Sequence, residues 1–381
     1  MLESADSPTL AICTAGELFG GVERQVLDLG EYARERAGRA PLLLLFHDRE
    51  LARQARSRGF APIVLRGRHR YDPALARRLA ERLRTERIDV VHAHGYKAMV
   101  AAAIALRSWG GAIVKTEHGR LEPAEGPLMW VKMRANRGLD ALASRRAAAI
   151  CYVTDDVRRH FDRAHAGLRR VTIPNGIAPL DKPGVPRPAA LEAGVLNLGL
   201  VGRLTPVKGI DIALRALAGL SASVPARLTV LGEGTLAAPL ARQAAALGIA
   251  DRVRWLGFRP DVSAFIAHFD ALLMPSRHEG LPYVLLEAMA FGTPVFASRV
   301  GGLAEVLRDG ETGALFAPGD SAALRALIER LAAEPAWAAG LGRAARADQR
   351  ARFTLERMGE AYWNVYAASA AELAREVRDG R

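Results

Sequence analysis

Short apolar runs alternate with longer amphipathic segments along most of the chain. In the first half, the pattern predicts strands at 10–15, 41–46, 61–65, 89–93, 112–116 and 149–154. Helical spacing between the runs predicts helices at 22–36 and 73–87. This alternation is typical of βαβ units, which pair into a parallel sheet through right-handed crossovers.

The same pattern starts again after a break at 181–194. That segment, DKPGVPRPAALEAG, has no periodicity and three prolines, so it is predicted to be an interdomain linker. Beyond it a helix is predicted at 211–220, and strands are predicted at 196–201, 228–232, 253–256, 271–274 and 294–298. A last helix, 355–377, has an apolar stripe of Met358, Tyr362, Trp363, Val365 and Tyr366. The sequence therefore predicts two doubly wound α/β domains in tandem.

Composition narrows the class of protein further. The 381 residues fit two domains at roughly 100–200 residues each, and 50% hydrophobic with 25% charged residues is typical of a soluble globular chain. Cys13 and Cys151 are the only cysteines, which excludes a disulfide framework and favours a reducing compartment. The first residues have no basic segment and no apolar run approaches 18 residues, so we expect neither a signal peptide nor a membrane span.

The net charge of +12 is unevenly distributed along the chain. Residues 1–180 contain 30 basic and 20 acidic side chains, whereas residues 181–381 contain 23 and 21. A basic first half favours a phosphate-rich partner, such as nucleic acid, an anionic membrane or a phosphorylated acceptor. Arginine-rich composition alone is the alternative interpretation, since 48 of the 53 basic residues are Arg.

A glycine loop follows the first predicted strand and leads into the first predicted helix. Glycines here allow backbone N–H groups to approach a ligand, and a helix start favours an anion. The spacing of Gly16, Gly20 and Gly21 does not match the dinucleotide fingerprint, which disfavours a nicotinamide or flavin enzyme. A plain turn between strand and helix is the alternative.

A second loop of this kind, V-G-R-L-T-P-V-K-G, follows the first strand of the second half. Arg203 and Lys208 lie in it at the carboxyl end of that strand, where open α/β sheets bind ligands. Two fixed cations beside a helix start suit a pyrophosphate, and no Walker sequence is present. Ordinary surface charge is the alternative for either residue alone.

Two glutamates form the strongest candidate site. In P-S-R-H-E-G-L-P-Y-V-L-L-E, Glu279 precedes a predicted helix whose first turn contains Pro282, and Glu287 lies inside that helix. Carboxylates bind sugar or ribose hydroxyls through charge-assisted hydrogen bonds. The N–H groups near Gly280 and Leu281 would point at the same ligand. For Glu287 alone, an exposed helical acid is the alternative.

Two histidines, His92 and His94, follow each other in V-H-A-H-G. Their i, i+2 spacing is compatible with metal ligands, but no third ligand is visible. For one of them, lining the cleft or contacting an acceptor is the favoured interpretation. The other is interpreted as simply packed.

The motifs together resemble the retaining glycosyltransferases of family 4, which have the GT-B fold. The resemblance covers about residues 10–320, and one motif is E-x7-E at Glu279 and Glu287. The other matches are G-G-V-E at 20–23, P-N-G-I at 174–177, V-G-R-L-x-x-x-K-G at 201–209, L-G-E-G at 231–234 and V-G-G-L-x-E at 300–305.

The resemblance implies a GT-B arrangement of two Rossmann-like domains facing across a cleft. Its acceptor-binding domain would be 1–180, its linker 181–194 and its nucleotide-sugar domain 195–352. The last helix, 353–381, would pack back on the first domain.

The resemblance also implies residue roles. Glu287 would bind the ribose, Glu279 the donor sugar, and Arg203 with Lys208 the leaving pyrophosphate, while His118 in T-E-H-G would contact the transferred sugar. Gly20, Gly21, Asn175, Gly202, Gly234, Gly280 and Leu281 would complete the donor site, and His92, His94 and Glu23 would contact the acceptor. Family members often have Phe at the position of Leu281, so sugar specificity is not carried over.

The implied activity is retaining transfer of a hexose or N-acetylhexosamine from a UDP-sugar, or next GDP-mannose, to a glycan or lipid-linked acceptor. Such an enzyme would serve surface polysaccharide or glycolipid biosynthesis. The chain contains no D-x-D motif, so neither a metal nor another cofactor is expected. A sugar-nucleotide epimerase or hydrolase, transfer to a small molecule, and a non-catalytic binding protein are the alternatives.

The basic excess then falls in the half expected to meet the acceptor. The segment 129–146 places five basic residues among apolar ones, which suits an anionic bilayer, with an ordinary solvated helix as the alternative. Nucleic acid is disfavoured, since aromatic residues do not alternate with the basic ones. The sequence therefore predicts a cytoplasmic enzyme, peripheral on the inner face of the membrane.

Overall fold

The computed structural model describes residues 7–17, 19–67, 72–120, 127–181 and 184–379. The chain divides into two compact units, and the first of them is discontinuous in sequence. Unit 1 comprises Met1–Asn175 and Leu355–Arg381, and unit 2 comprises Gly176–Thr354.

Unit 1 is built on a seven-stranded parallel sheet. Its strands are β1 (Leu10–Thr14), β2 (Leu42–Leu45), β3 (Ile63–Val64), β4 (Val90–His94), β5 (Ala112–Glu117), β6 (Ala149–Tyr152) and β7 (Arg170–Thr172). They lie in the order β3-β2-β1-β4-β5-β6-β7. Every residue of β1, β4, β5 and β6 is buried, as expected when helices cover both faces of a parallel sheet.

The described residues of unit 1 form seven helices. They are α1 (Gly21–Ala37), α2 (Glu50–Ser57), α3 (Pro73–Thr85), α4 (Gly95–Trp109), α5 (Pro127–Ser144), α6 (Asp155–His160) and, from the end of the chain, α14 (Leu355–Arg378). The last helix packs on α1 and on β5, inside unit 1. Its predicted stripe, Met358, Tyr362, Trp363, Val365 and Tyr366, is buried in the core of the unit.

Unit 2 is built on a six-stranded parallel sheet. Its strands are β8 (Leu196–Val201), β9 (Ala226–Leu231), β10 (Val253–Trp255), β11 (Ala271–Met274), β12 (Val295–Ser298) and β13 (Ala314–Phe316), in the order β10-β9-β8-β11-β12-β13. Its helices are α7 (Ile210–Ala218), α8 (Ala237–Ala246), α9 (Val262–His268), α10 (Tyr283–Phe291), α11 (Gly301–Val306), α12 (Ser321–Ala333) and α13 (Pro335–Arg352). Short 3-10 turns, Pro206–Lys208 and Ala250–Arg252, join these elements.

The strand pattern predicted from the sequence is confirmed, apart from two strands that it missed. These are β7 and β13, which have three residues each and lie at the edges of their sheets. The predicted first-turn position of Pro282 is also wrong, because Pro282 has an extended backbone and caps α10 from outside.

The segment predicted to be a linker is bonded to unit 2. Asp181 forms ion pairs with Arg346 and Arg350 of α13, and Glu192 forms ion pairs with Arg227 and Arg254 of the sheet. The division between the units falls earlier, between Asn175 and Gly176, and again between Thr354 and Leu355. Lys182 and Pro183 lie outside the described residues.

A buried ion cluster joins α5 to the sheet of unit 1. Lys115 of β5 is fully buried, and its Nζ donates to Glu117 Oε1 at 2.5 Å and to Asp140 Oδ2 of α5 at 2.7 Å. Burial acts to lower the pKa of Lys115, but the two carboxylates outweigh it and raise that pKa, so the lysine stays charged. The cluster fixes the face of α5 that turns toward the sheet.

We expect Lys115→Met to lower the free energy of unfolding by about 3 kcal/mol, because it leaves two largely buried carboxylates without their cation. Urea unfolding followed by circular dichroism measures the change. The matched control is Lys132→Met on the exposed side of α5, which should change stability by less than about 0.5 kcal/mol. Equal effects of the two substitutions would contradict a stabilising role for the cluster.

None of the helices in the described part of the chain combines the length and the apolarity that crossing a membrane requires.

Candidate functional site

Each sheet reverses its strand order once, and the candidate residues lie around those two points. In unit 1 the order reverses between β1 and β4, and in unit 2 between β8 and β11. Loops at the carboxyl ends of such neighbouring strands diverge and open a crevice, which is where doubly wound folds bind ligands.

In unit 2 a lysine and a glutamate meet across the reversal point. Lys208, from the loop after β8, donates from Nζ to Glu279 Oε1 at 2.6 Å, and Glu279 belongs to the loop after β11. Ser276 Oγ donates to the same carboxylate oxygen at 2.7 Å. Oε2 of Glu279 has no hydrogen bond among the described residues, so it is available to a ligand.

Close backbone contact holds the two loops at this distance. Gly209 has a φ of +61°, and a Cβ there would lie 2.0 Å from the carbonyl oxygen of Pro275 in the other loop. Any larger residue would therefore push the loops apart. On the other side of the first loop, a Cβ on Gly234 would lie 2.4 Å from the carbonyl oxygen of Leu204.

Arg277, which the sequence did not single out, joins the same two loops. Its backbone N–H donates to Val207 O at 2.7 Å, and its guanidinium donates to Pro206 O at 2.7 Å and to both oxygens of Asp211 at 2.9 Å. Burial works to raise the pKa of Asp211, but the hydrogen bonds and charge of Arg277 hold that pKa below its ordinary value. The only feature of the sequence that could have identified Arg277 is its position in the loop two residues before Glu279.

Glu287 lies in the first half of α10 and is 3% exposed. Ser263 Oγ of α9 donates to its Oε1 at 3.1 Å. A carboxylate this buried is expected to have polar partners, so the interpretation of Glu287 as an ordinary exposed acid is wrong. Gly280 and Leu281 lie in the loop just before Pro282, the cap of the same helix.

The other cation of this loop, Arg203, has an exposed side chain. Arg203 follows Gly202 directly after the end of β8, in the same loop as Lys208. The structure thus places Gly202, Arg203, Lys208 and Gly234 in the loops around β8, and Glu279, Gly280, Leu281 and Glu287 in the segment after β11.

In unit 1 the first glycine loop ends at the start of α1. Gly20 caps α1, and its N–H donates to Glu23 Oε2 at 3.1 Å, so this glutamate covers part of the helix start. Gly20 and Gly21 are both exposed. Gly16 has a φ of +65°, which explains a glycine at the turn after β1.

Lys97 was missed by the sequence interpretation and lies beside this loop. It belongs to the first turn of α4, after β4, and it pairs with Glu17 in the loop after β1. His47 Nε2 also lies 3.1 Å from Glu17 Oε1. Lys97 is one of only five lysines in the chain and is the second residue after V-H-A-H-G. Its rarity and position could therefore have marked it as a candidate site residue.

The three candidate histidines form one continuous chain at the carboxyl ends of β4 and β5. His118 Nε2 lies 3.0 Å from His94 Nδ1, and His94 Nε2 lies 3.2 Å from His92 Nδ1. His92 and His94 are buried, and His118 is half-buried. Burial lowers the pKa of His92 to about 3, that of His118 to about 4, and that of His94 well below its ordinary value, so all three are neutral near pH 7.

Both ring nitrogens of His92 and of His94 lie within hydrogen-bond distance of protein atoms. The arrangement therefore favours a hydrogen-bonded chain over a metal site for this pair. It leaves neither His92 nor His94 a free ring nitrogen for an acceptor, which goes against the predicted acceptor contacts of both. In the part of the chain that the structure describes, no group of three or more His, Cys, Asp or Glu side chains is arranged to hold a metal.

Asn175, the last residue of the first segment of unit 1, is buried. Its Oδ1 accepts a hydrogen bond from Gln25 Nε2 of α1 at 2.7 Å. Gln25 also contacts Tyr362 of α14 at 3.4 Å. Asn175 is therefore tied to the same interior as the histidine chain.

Two family models match the chain, and together they cover most of it. Residues 19–179 match the model described as Glycosyltransferase Family 4, and residues 192–351 match the model described as Glycosyl transferases group 1. The chain belongs to the family 4, group 1 glycosyltransferases. The glycosyltransferase is thus an enzyme of the transferase class, as the sequence predicted.

Curated relatives of the glycosyltransferase cover similar lengths. It is 32% identical over 318 residues to a D-inositol 3-phosphate glycosyltransferase of Streptomyces avermitilis, covering 76% of this chain and 67% of the relative. It is also 32% identical over 297 residues to a glycogen synthase of Mycobacterium tuberculosis, covering 75% and 70%.

Solved structures with the same fold extend over nearly the whole glycosyltransferase. HepE of Anabaena, in complex with UDP-glucose, superposes with a TM-score of 0.81 at 23% identity, covering 94% of this chain and 99% of HepE. The predicted GT-B fold with two Rossmann-like parallel-sheet domains is confirmed.

We expect Gly209→Ala to lower the activity of the glycosyltransferase about 100-fold, because the added Cβ forces the Lys208 and Glu279 loops apart. Steady-state kinetics and thermal melting measure the effect. The matched control is Gly248→Ala, where φ is +70° but no atom lies within 4 Å of the added Cβ. Both substitutions carry the left-handed backbone cost of about 1 kcal/mol. Similar activities in the two variants would show that the close contact is unimportant.

Proposed function

We propose that the glycosyltransferase moves a hexose or N-acetylhexosamine from a UDP-sugar to a glycan or lipid-linked acceptor, with retention of configuration. GDP-mannose is the second donor. The process it serves is surface polysaccharide or glycolipid biosynthesis. The observation that carries the proposal is the contact of Lys208 with Glu279 across the strand reversal of unit 2.

The charges of this crevice suit a departing nucleoside diphosphate. Lys208 is partly shielded, with 18% of its side chain exposed, and its carboxylate partner keeps it in a fixed position. A fixed cation stabilises charge that develops on a leaving group without having to reorganise. In the proposal, Lys208 and Arg203 neutralise the pyrophosphate, and no metal is required.

The two glutamates suit the neutral parts of the donor. Glu279 has one carboxylate oxygen engaged by Lys208 and Ser276, and the other is available to sugar hydroxyls. Glu287 is buried and bonded to Ser263, which fixes it as an acceptor for the ribose hydroxyls. Gly202, Gly234, Gly280 and Leu281 bring backbone close to the same donor.

UDP is preferred as the nucleotide because the structural relative HepE is described in complex with UDP and with UDP-glucose. In this proposal the acceptor contacts come from unit 1, Met1–Asn175 and Leu355–Arg381, for which the sequence predicted the limits 1–180 and 353–381. The donor domain is predicted to be 195–352, inside unit 2. In the proposal the donor sugar is contacted by Gly20, Gly21, His118 and Asn175, and the acceptor is contacted by Glu23. Lys97 is added to the acceptor side.

Transfer to a phosphorylated small molecule is the second candidate. One curated relative is a D-inositol 3-phosphate glycosyltransferase, and residues 1–180 hold the excess of basic residues that such an acceptor favours. A sugar-nucleotide epimerase or hydrolase is a further alternative. Incubation of the donor without any acceptor distinguishes an epimerase or hydrolase from a transferase, since rapid and complete turnover would favour the epimerase or hydrolase.

We expect Lys208→Ala and Glu287→Ala each to lower kcat/KM at least about 100-fold while the melting temperature changes little, because each removes a donor contact. The measurement is transfer from the UDP-, GDP- or ADP-sugar that gives the largest thermal shift. Arg242→Ala, an exposed arginine on α8, is the matched control and should keep full activity. Near-normal rates in either site variant would refute the donor site.

We further propose that the enzyme works at the inner, cytoplasmic face of an anionic membrane and contacts it through α5. Five of the eight exposed large apolar side chains in the described residues lie on this helix: Met129, Trp130, Val131, Leu139 and Leu142. Such a concentration on one helix marks an interaction surface.

The apolar positions of α5 form a line. Val131, Ala135, Gly138 and Leu142 follow one another at intervals of four, three and four residues and are all exposed, Val131 at 56% and Leu142 at 62%. Residues at these intervals lie on one side of a helix. The Lys115–Asp140 contact holds a different side of α5 against the sheet.

The charges beside this line favour anionic lipid over a second copy of the chain. Lys132, Arg134 and Arg137 are exposed on α5, and its only acid, Asp140, is paired with Lys115. Arg134 also lies over the ring of Trp130, at 4.7 Å, an arrangement suited to the interface between water and lipid. Two such faces would repel each other, whereas each cation near an anionic bilayer contributes about 1 kcal/mol of attraction.

We expect the double variant Val131→Glu/Leu142→Glu to lose co-sedimentation with vesicles that contain anionic phospholipid, because it places two carboxylates in the line that meets the bilayer. The matched control, Leu247→Glu/Phe258→Glu, changes two exposed apolar residues of unit 2 and should sediment like the unaltered enzyme. Binding to neutral vesicles should be weak, and salt should weaken binding to anionic ones. Failure of the unaltered enzyme to bind anionic vesicles at low salt would refute this contact.

A further inference from the structure

A chain of five polar contacts runs from His118 through the core of unit 1 to α14. In order, they are His118 Nε2 with His94 Nδ1 at 3.0 Å, His94 Nε2 with His92 Nδ1 at 3.2 Å, Tyr366 Oη with His92 Nδ1 at 2.7 Å, His92 Nε2 with Thr116 Oγ1 at 2.7 Å, and Thr116 Oγ1 with Tyr362 Oη at 3.0 Å. All of these side chains except His118 are buried.

The number of protons in this chain is fixed. Burial keeps the three histidines neutral, so each carries one proton. Burial also raises the pKa of Tyr362 and of Tyr366 well above the ordinary value, so both hydroxyls keep their protons. With Thr116, six protons are available for five contacts.

Suppose first that His92 carries its proton on Nδ1. That single proton then faces both Tyr366 and His94, and the hydroxyl proton of Tyr366 has no acceptor among the described residues. In this assignment four protons serve the five contacts.

Suppose instead that His92 carries its proton on Nε2 and donates to Thr116. The single lone pair of Nδ1 then accepts from Tyr366 Oη at 2.7 Å and, more weakly, from His94 Nε2 at 3.2 Å. His94 Nδ1 is therefore bare and accepts from His118 Nε2. This is the one assignment in which each of the five contacts has a proton of its own. One buried hydroxyl proton is spare in either assignment, at Tyr366 in the first and at Thr116 or Tyr362 in this one, so the two assignments differ by one hydrogen bond.

We propose that Tyr366, His92 and His94 are positioning residues that fix the tautomer of His118, with the proton on Nε2 and a lone pair on Nδ1. His118 Nδ1 has no hydrogen bond among the described residues, so the lone pair faces the open side of the ring. A bare imidazole nitrogen accepts a hydrogen bond from a hydroxyl. Resting on the proposed function, this makes His118 the acceptor for a hydroxyl of the donor sugar.

Tyr366 decides the direction of the chain, because its proton has only one acceptor. In Tyr366→Phe the reversed assignment satisfies all four remaining contacts and leaves no spare hydroxyl proton, since the fifth proton is on His118 Nδ1. Tyr362 donates to Thr116, Thr116 to His92 Nε2, His92 Nδ1 to His94, and His94 Nδ1 to His118. His118 would then carry its proton on Nδ1, so this substitution reverses the tautomer.

Tyr362→Phe is the matched control. It removes a buried tyrosine hydroxyl from the same helix, one turn away, and packs the same ring. The contacts that remain still require Tyr366 to donate to His92 Nδ1, so His118 keeps its proton on Nε2. The two variants therefore differ in the direction of the chain and not in the loss of a hydroxyl.

The experiment is nitrogen NMR of the full-length enzyme labelled with ¹⁵N-histidine, in which the His118 signals are those that disappear in His118→Gln. We expect the proton on Nε2 in the unaltered enzyme and in Tyr362→Phe, and on Nδ1 in Tyr366→Phe. A proton on Nδ1 in the unaltered enzyme, or no reversal in Tyr366→Phe, would overturn the proposal. Should Tyr366→Phe not fold, the spectrum of the unaltered enzyme still decides it.

Activity separates this inference from the proposed function. If His118 accepts from the donor sugar, Tyr366→Phe should lower kcat/KM for the UDP-sugar about tenfold, while Tyr362→Phe changes it less. A reversed tautomer with unchanged kcat/KM would overturn the role of His118 at the sugar and leave the tautomer assignment intact.

Discussion

The reversal of strand order in each parallel sheet is the constraint on which the candidate site of each unit depends. Where the order reverses, the loops that follow two neighbouring strands separate, and a crevice opens at their carboxyl ends. Unit 2 places Lys208 and Glu279 on the two sides of this crevice, and unit 1 places Glu17 and Lys97 on the two sides of its own. Residues far apart in sequence thus meet because adjacent parallel strands end at the same edge.

The two crevices differ in the charges of the side chains that line them. Unit 2 presents fixed cations next to a carboxylate, the chemistry suited to a departing diphosphate. Unit 1 presents three imidazoles that burial keeps neutral, backed by tyrosine hydroxyls from α14. A neutral hydrogen-bonding group can bind a sugar without competing for the phosphate charge. The assignment of donor and acceptor roles in our proposal follows from this contrast.

Much of the fold and part of the candidate site could be predicted from the sequence. The strands of the two sheets are apolar runs with clear limits, and Lys208 and Glu279 each follow such a run, so their shared edge was predictable. Other features depend on distances that no local pattern encodes. Tyr366 meets His92 across 274 residues, and the need for glycine at Gly209 arises from a carbonyl 66 positions away, that of Pro275. Burial of Glu287 likewise depends on α9 packing beside α10.

The discontinuity of unit 1 has a consequence for how the protein is made. Unit 2, residues 176–354, is continuous and leaves the ribosome as a whole, whereas the core of unit 1 includes Met358, Tyr362 and Tyr366 from the last described helix. During synthesis, the first 175 residues therefore wait with an apolar face uncovered until unit 2 has been translated. We therefore expect aggregation to threaten this protein most while unit 1 is nascent, because exposed apolar surface makes incomplete folds aggregation-prone.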